Sequence, residues 1–135
     1  MEGLTFLELA EHTCAAQMAQ ENHKSGTVLV IKSDGMGQAD LELGQRWLRR
    51  YLETLLMTGL RPDAICLCAS GVKLATEGSP VLDLLEDLEE KGSLVLSCAT
   101  SLNQYGLAEQ VKVGVLGGMR DLVAAQWEAH KVISL

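Results

Sequence analysis

At 135 residues the chain is the size of one domain, and it can bury about two-thirds of its unfolded surface without a disulfide or metal. A hydrophobic share of 47% and a charged share of 21% are those of a globular protein, and with aromatics at 4% the core must come from Leu, Val, Ile and Ala. The 11 Lys and Arg against 18 Asp and Glu leave a formal charge of −7, which argues against nucleic-acid binding by counterion release and against a polybasic membrane surface.

No apolar run approaches the ~20 residues a bilayer demands. Met1-Glu2-Gly3-Leu4 lacks the basic region and apolar stretch of a signal peptide, so a cytoplasmic chain is expected. Residues 4–24 read as an amphipathic helix, with Leu4, Leu7, Ala10, Cys14 and Met18 at helical spacing and Lys24-Ser25-Gly26 as the stop. The division expected is a helical extension over 1–26 and an α/β domain over 27–135. Thr27 to Ile31 is a continuous β-branched run, the mark of a strand buried on both faces. After the glycine loop 33–37, a helix over about 39–58 carries an apolar stripe of Leu41, Gly44, Trp47, Leu48, Tyr51, Leu52, Leu55 and Leu56. Gly59 stops it and Pro62-Asp63 turns the chain.

The unit then repeats. A second buried strand is expected at 64–69, then a loop 70–73, then a helix with Ser79 and Pro80 at its start and Val81, Leu84, Leu85 and Leu88 inward. A third strand at 93–98 leads into a short helix at 102–109, and Val111 to Val115 reads as a fourth strand. A helix at 119–130, with Leu122, Val123 and Trp127 inward, precedes a last strand at 131–135. Strands alternating with helices predict a three-layer α/β/α sandwich on a mostly parallel five-stranded sheet.

Ligands of such sheets bind beyond the carboxyl ends of the strands. Three loops qualify, at 33–37, 70–73 and 97–101, and they collect Asp34, Asp40, Lys73 and Cys98. Gly35-Met36-Gly37 imitates a dinucleotide fingerprint, but Asp40 stands where the third glycine belongs, and no Walker-type run is present. No metal is expected either. Cys66 and Cys68 lie two apart on a buried strand, where small apolar cysteines pack, and His12, His23 and His130 fall near the terminal helices. No other cofactor is indicated. Cys98 differs: it ends a strand where a helix begins, so backbone N–H groups would favour its thiolate, with Lys73 as the adjacent cation. A reactive thiolate and a buried packing cysteine are both open readings of this position.

The motifs then resemble something specific. Ser33-Asp34-Gly35-Met36-Gly37 with Asp40, Glu42, Leu43 and Gly44 resembles the first loop of the DsrE/DsrF-like family, and in particular the C-terminal domain of YedF-type proteins, which are sulfurtransferase-like and linked to selenium metabolism. Ser70-Gly71-Val72-Lys73-Leu74-Ala75 with Glu77-Gly78-Ser79, and Ser97-Cys98-Ala99-Thr100-Ser101-Leu102 with Tyr105-Gly106-Leu107, resemble its next two loops. The resemblance covers residues 27–135. It implies a sulfur relay: Cys98 and Lys73 as the reacting group and its cation, Asp34, Gly35, Gly37, Asp40, Gly71, Thr100 and Ser101 around the bound group, and sulfur donor and acceptor proteins as partners of a homo-oligomer. Two departures matter. Ala99 and Ser101 stand where family members carry a second loop cysteine, leaving Cys68 as the thiol that could partner Cys98; and residues 4–24 lack a Cys-Pro-x-Pro, so the amino-terminal sulfur-carrier module is missing and the chain reads as free-standing or excised. The alternative is a non-catalytic DsrE-like subunit that acts through assembly.

Overall fold

Uninterrupted aliphatic runs make the strands, and amphipathic or glycine-bounded segments make the connections. A computed structural model describes residues 25–37 and 40–135; the helix expected at 4–24, with His12, Cys14 and His23, lies outside the described residues. In chain order the elements are β1 (Thr27–Ile31), α1 (Leu41–Thr58), β2 (Ala64–Leu67), a 3-10 helix (Ala69–Ala75), α2 (Leu82–Glu90), β3 (Leu94–Cys98), α3 (Ala99–Tyr105), a second 3-10 turn (Ala108–Gln110), β4 (Val115–Gly117), α4 (Met119–Trp127) and β5 (Lys131–Ser134). The sheet order is β4-β3-β2-β1-β5, and each neighbouring pair is parallel. The chain therefore steps outward from β1 to β4 and then returns across the sheet to place β5 beside β1. Right-handed crossovers made in opposite directions lie on opposite faces, which layers the sheet between helices.

The core follows the aliphatic runs. Val28, Leu29, Val30 and Ile31, all of β2, and Leu94, Val95 and Leu96 are buried, with Leu48 and Leu52 of α1 and Leu85 and Leu88 of α2 against them. Gly59 closes α1 in the left-handed conformation at φ 76, the C-terminal stop that its position predicts. Arg49 ties α1 to the start of α2 through the Pro80 carbonyl at 2.7 Å and a bidentate pair with Asp83.

Several expectations are corrected. Val111 to Val115 is not a strand: Val111 makes one isolated antiparallel bridge to Thr76, and Lys112 N donates to the Ala75 carbonyl. Gly114 then turns at φ 80 so close to the Val95 carbonyl that a Cβ would overlap it, and β4 starts only at Val115. Trp127 and Val123 face outward, at 83% and 43% exposure, while Leu122 and Ala125 supply the buried side of α4. Leu41 and Trp47 are likewise exposed, so the inward stripe of α1 is narrower than the pattern suggests. The loop at 70–73 is the middle of a 3-10 helix. Ser79 precedes Val81 at the N-cap of α2, its hydroxyl accepting from Val81 N at 3.2 Å. The helix expected at 102–109 begins earlier, directly after Cys98.

Asp63 was expected only to turn the chain, yet it is buried and latches the start of β1. Its carboxylate accepts from Ser25 N at 2.9 Å and Gly26 N at 3.0 Å, while its backbone joins Thr27 and Leu94. Asp63→Ala would leave those donors unpaired, a loss of about 2–3 kcal/mol. The unfolding free energy from a urea titration should fall by that amount, through a lower midpoint with an unchanged slope.

Candidate functional site

The carboxyl ends of β1, β2 and β3 bring the three motif loops together, and glycines set how closely they approach. Met36 N donates to the Gly44 carbonyl at 2.9 Å; a Cβ on Gly44 would stand 2.8 Å from Met36 O, and one on Gly35 would stand 3.2 Å from the Gly44 carbonyl carbon. The first loop is thus packed backbone to backbone on α1. Gly37 completes it at φ 73 beside Trp47. Asp40, expected around a bound group, is the N-cap of α1, its Oδ1 accepting from Leu43 N at 2.9 Å. Gly71 crosses over the end of β1, where any Cβ would overlap the Ile31 carbonyl oxygen. That same oxygen accepts from Cys68 N at 3.0 Å, and Gly71 N donates to the Cys68 carbonyl at 2.8 Å.

Cys98 ends β3 and is the N-cap of α3. It is 4% exposed. Burial pushes its thiol pKa up, but the hydroxyl and N–H of Ser101 and the N–H and hydroxyl of Thr100 together outweigh burial and hold it below the ordinary cysteine value. The orientation of Ser101 has a visible cause. Its Oγ accepts from Ala69 N at 2.9 Å, which occupies a lone pair and leaves the hydroxyl proton for the sulfur. Ala69 makes this bond from φ 51, a left-handed conformation unusual for a residue with a Cβ.

Lys73 is placed differently from expectation. Its ammonium lies 4.7 Å from the centre of the Tyr105 ring, a cation–π contact, and the groups that favour the Cys98 thiolate are hydroxyls and amides instead. Lys73 lines an open cleft of about 430 Å³ with Asp34, Gln45, Thr76, Glu77 and Tyr105. Asp34 and Lys73 thus share one concavity, while Thr100 and Ser101 gather at Cys98. Gln45 and Thr76 escaped the sequence reading, and Tyr105 was legible only as part of the third motif, with no role attached.

The other thiols differ sharply. Burial pushes Cys66 up to about 12, with the charge of Cys68 adding to it. Cys68, half-buried, is raised by burial and by the charge of Cys98, against a smaller opposing pull from Lys32. Lys32, just beyond β1, is the cation that sequence reasoning missed. Among the described residues no three His, Cys, Asp or Glu side chains cluster as metal ligands, and no helix is long and apolar enough to cross a membrane. Ser97, next to Cys98, is fully buried and its Oγ has no hydrogen-bond partner.

No family model matches the sequence, and a comparison with the curated proteins finds no match. Two solved structures are similar in fold. The ychN protein from E. coli is 20% identical with a TM-score of 0.59, over 81% of this chain and 99% of that one. A protein of unknown function from Methanobacterium thermoautotrophicum, MTH1491, is 22% identical with a TM-score of 0.58, over 81% and 97%. At such identity the likeness establishes the α/β fold with its parallel sheet and nothing about activity.

The site makes a signed prediction. The alkylation rate of Cys98 should rise with pH around a midpoint below that of a free cysteine. Ser101→Ala removes the hydroxyl donor to the thiolate, leaving the backbone N–H, and should move that midpoint upward, whereas Lys73→Met should leave it in place; a profile of iodoacetamide labelling against pH measures both.

Proposed function

We propose that this chain is a sulfur-relay protein that carries a persulfide on Cys98. The observation that supports the reading is the set of donors on Cys98 from Thr100 and Ser101, because the thiolate is the nucleophile in sulfur transfer. In the loading step the Cys98 thiolate attacks the terminal sulfur of a donor persulfide; a new S–S bond forms at Cys98, and the donor leaves as a thiolate. In the unloading step an acceptor thiolate attacks that terminal sulfur, and Cys98 departs as the thiolate its donors stabilise. No net oxidant is needed, since sulfane sulfur is passed unchanged. The resemblance in the three loops to YedF-type proteins supports sulfur, and selenium as a variant cargo, with donor and acceptor proteins as partners in the cytoplasm.

Exposed apolar side chains on α4, among them Met119 and Trp127 at 62% and 83% exposure, support assembly of several copies. They equally suit the second reading, a DsrE-like subunit that assembles without transferring sulfur. The 4% exposure of Cys98 favours that second reading, and one experiment separates the two. Cys68→Ser protein, which keeps Cys98 but lacks its neighbouring thiol, is incubated with a low-molecular-weight persulfide and trapped by alkylation. Relay predicts one added sulfur on the Cys98 peptide and none there in a Cys68→Ser/Cys98→Ser control. A Cys98 that gains no sulfur and alkylates as slowly as a buried thiol leaves the assembly reading.

A further inference from the structure

A second thiol lies beside Cys98. The β2 and β3 strands run parallel in constant register, with Ala64 opposite Leu94, Cys66 opposite Leu96 and Leu67 opposite Ser97. One step on, the same register brings Cys68 alongside Cys98. Both residues keep extended backbones, at φ −132, ψ 161 and φ −69, ψ 116, and both remain tied into the sheet. Cys68 N donates to Ile31 O of β1 at 3.0 Å, and Cys98 pairs with Gly117 of β4. The pleat therefore continues through both positions, and the alternation that puts Cys66 and Leu96 on one face puts Cys68 and Cys98 on that face too. Adjacent strands lie about 4.8 Å apart, inside the Cα separation of about 4.4–6.8 Å that a disulfide requires. The neighbour of Cys98 on its other side, Gly117, has no side chain. The bond from Ala69 N to Ser101 Oγ clamps together the segments that follow the two cysteines.

From this juxtaposition we infer that Cys68 is the resolving thiol of Cys98, a second reacting group that discharges sulfur bound there by closing a Cys68–Cys98 disulfide. Applied to the relay, the step rests on the persulfide reading above. The Cys68 sulfur attacks Cys98 Sγ, the bond between Cys98 Sγ and the terminal sulfur breaks, and that sulfur leaves as hydrosulfide, which takes the Cys68 proton to become hydrogen sulfide. The two cysteine sulfurs are oxidised and the sulfane sulfur is reduced, so electrons balance with no further reagent. An external dithiol then reduces the disulfide and restores both thiols. The same attack resolves a mixed disulfide: with glutathione on Cys98, the leaving group is the glutathione thiolate. The replacement for a second cysteine within the Cys98 loop is thus supplied by the neighbouring strand. A relay with this pair has two exits, transfer to an acceptor or release of sulfide.

The test uses the full-length protein and oxidised glutathione, so that it does not depend on persulfide loading. Intact-mass and peptide spectra of wild type should show a transient glutathione adduct on Cys98, followed by a Cys68–Cys98 disulfide two hydrogens lighter than the reduced protein. Cys68→Ser, with Cys68→Ala as a second variant should serine perturb the fold, should stop at the adduct, whose lifetime lengthens about tenfold or more because the intramolecular thiol is gone. If wild type holds the adduct as long as the variants and no internal disulfide forms, or if Cys98 never takes up glutathione, the inference is overturned. A parallel arm with a low-molecular-weight persulfide separates the two claims. Stable sulfur on Cys98 of the Cys68→Ser protein, with equally stable sulfur in wild type, would keep the relay and sink the resolving thiol. Disulfide formation with glutathione but no sulfur loading would do the reverse.

Discussion

One hydrogen bond joins the features on which the site depends. Ala69 N donates to Ser101 Oγ at 2.9 Å across the exits of two neighbouring strands, and it does so from a left-handed backbone that alanine adopts at a cost of about 1 kcal/mol. The bond fixes which way the Ser101 hydroxyl points, and that hydroxyl is the largest of the influences opposing burial at Cys98. It also keeps the 3-10 helix after β2 against the first turn of α3. Without it the Ala69 amide would have to find water, and the serine would be free to turn from the sulfur.

The sheet makes that bond geometrically possible. Parallel pairing in one constant register aligns the ends of β1, β2 and β3, and glycines let the loops that leave them stack without side chains between. Gly71 passes directly over the Ile31 carbonyl, and Gly35 and Gly44 let the first loop settle on α1. An alanine at Gly71 would have to displace the strand end itself. The glycines of the motifs therefore act on the site through backbone distance, and Asp40 acts as a helix cap. The electrostatics around the thiol come from amides and short hydroxyl side chains, which carry no net charge and lose little to salt.

How legible this was in the sequence depends on the range of the interaction. The strands β1 to β3 are continuous aliphatic runs between turn residues, so their burial on both faces could be read directly. The position of Cys98 at a strand-to-helix junction was equally local. Val111 to Val115 misleads for the same reason: the run is β-branched, but the Lys112 bond to Ala75 and the tight contact of Gly114 with Val95 are tertiary. Periodicity places Trp47 and Trp127 among apolar neighbours without saying that both would lie exposed. Lys73 was the nearest cation by motif, and only the packing of α3 on the 3-10 helix brings Tyr105 under it. Cys68 could be named as a candidate partner of Cys98 from the sequence, but their nearness is a property of strand register, which spacing along one strand does not encode.

Hydroxyls and amides hold the Cys98 thiol below the ordinary cysteine value, while burial raises Cys66 and Cys68. The ultraviolet thiolate absorbance of wild type, titrated with pH and corrected by subtracting the Cys98→Ser protein, isolates that one group. The account predicts a difference curve with a midpoint below that of free cysteine. A midpoint at or above that of free cysteine, matching the strongly raised Cys66, would contradict it.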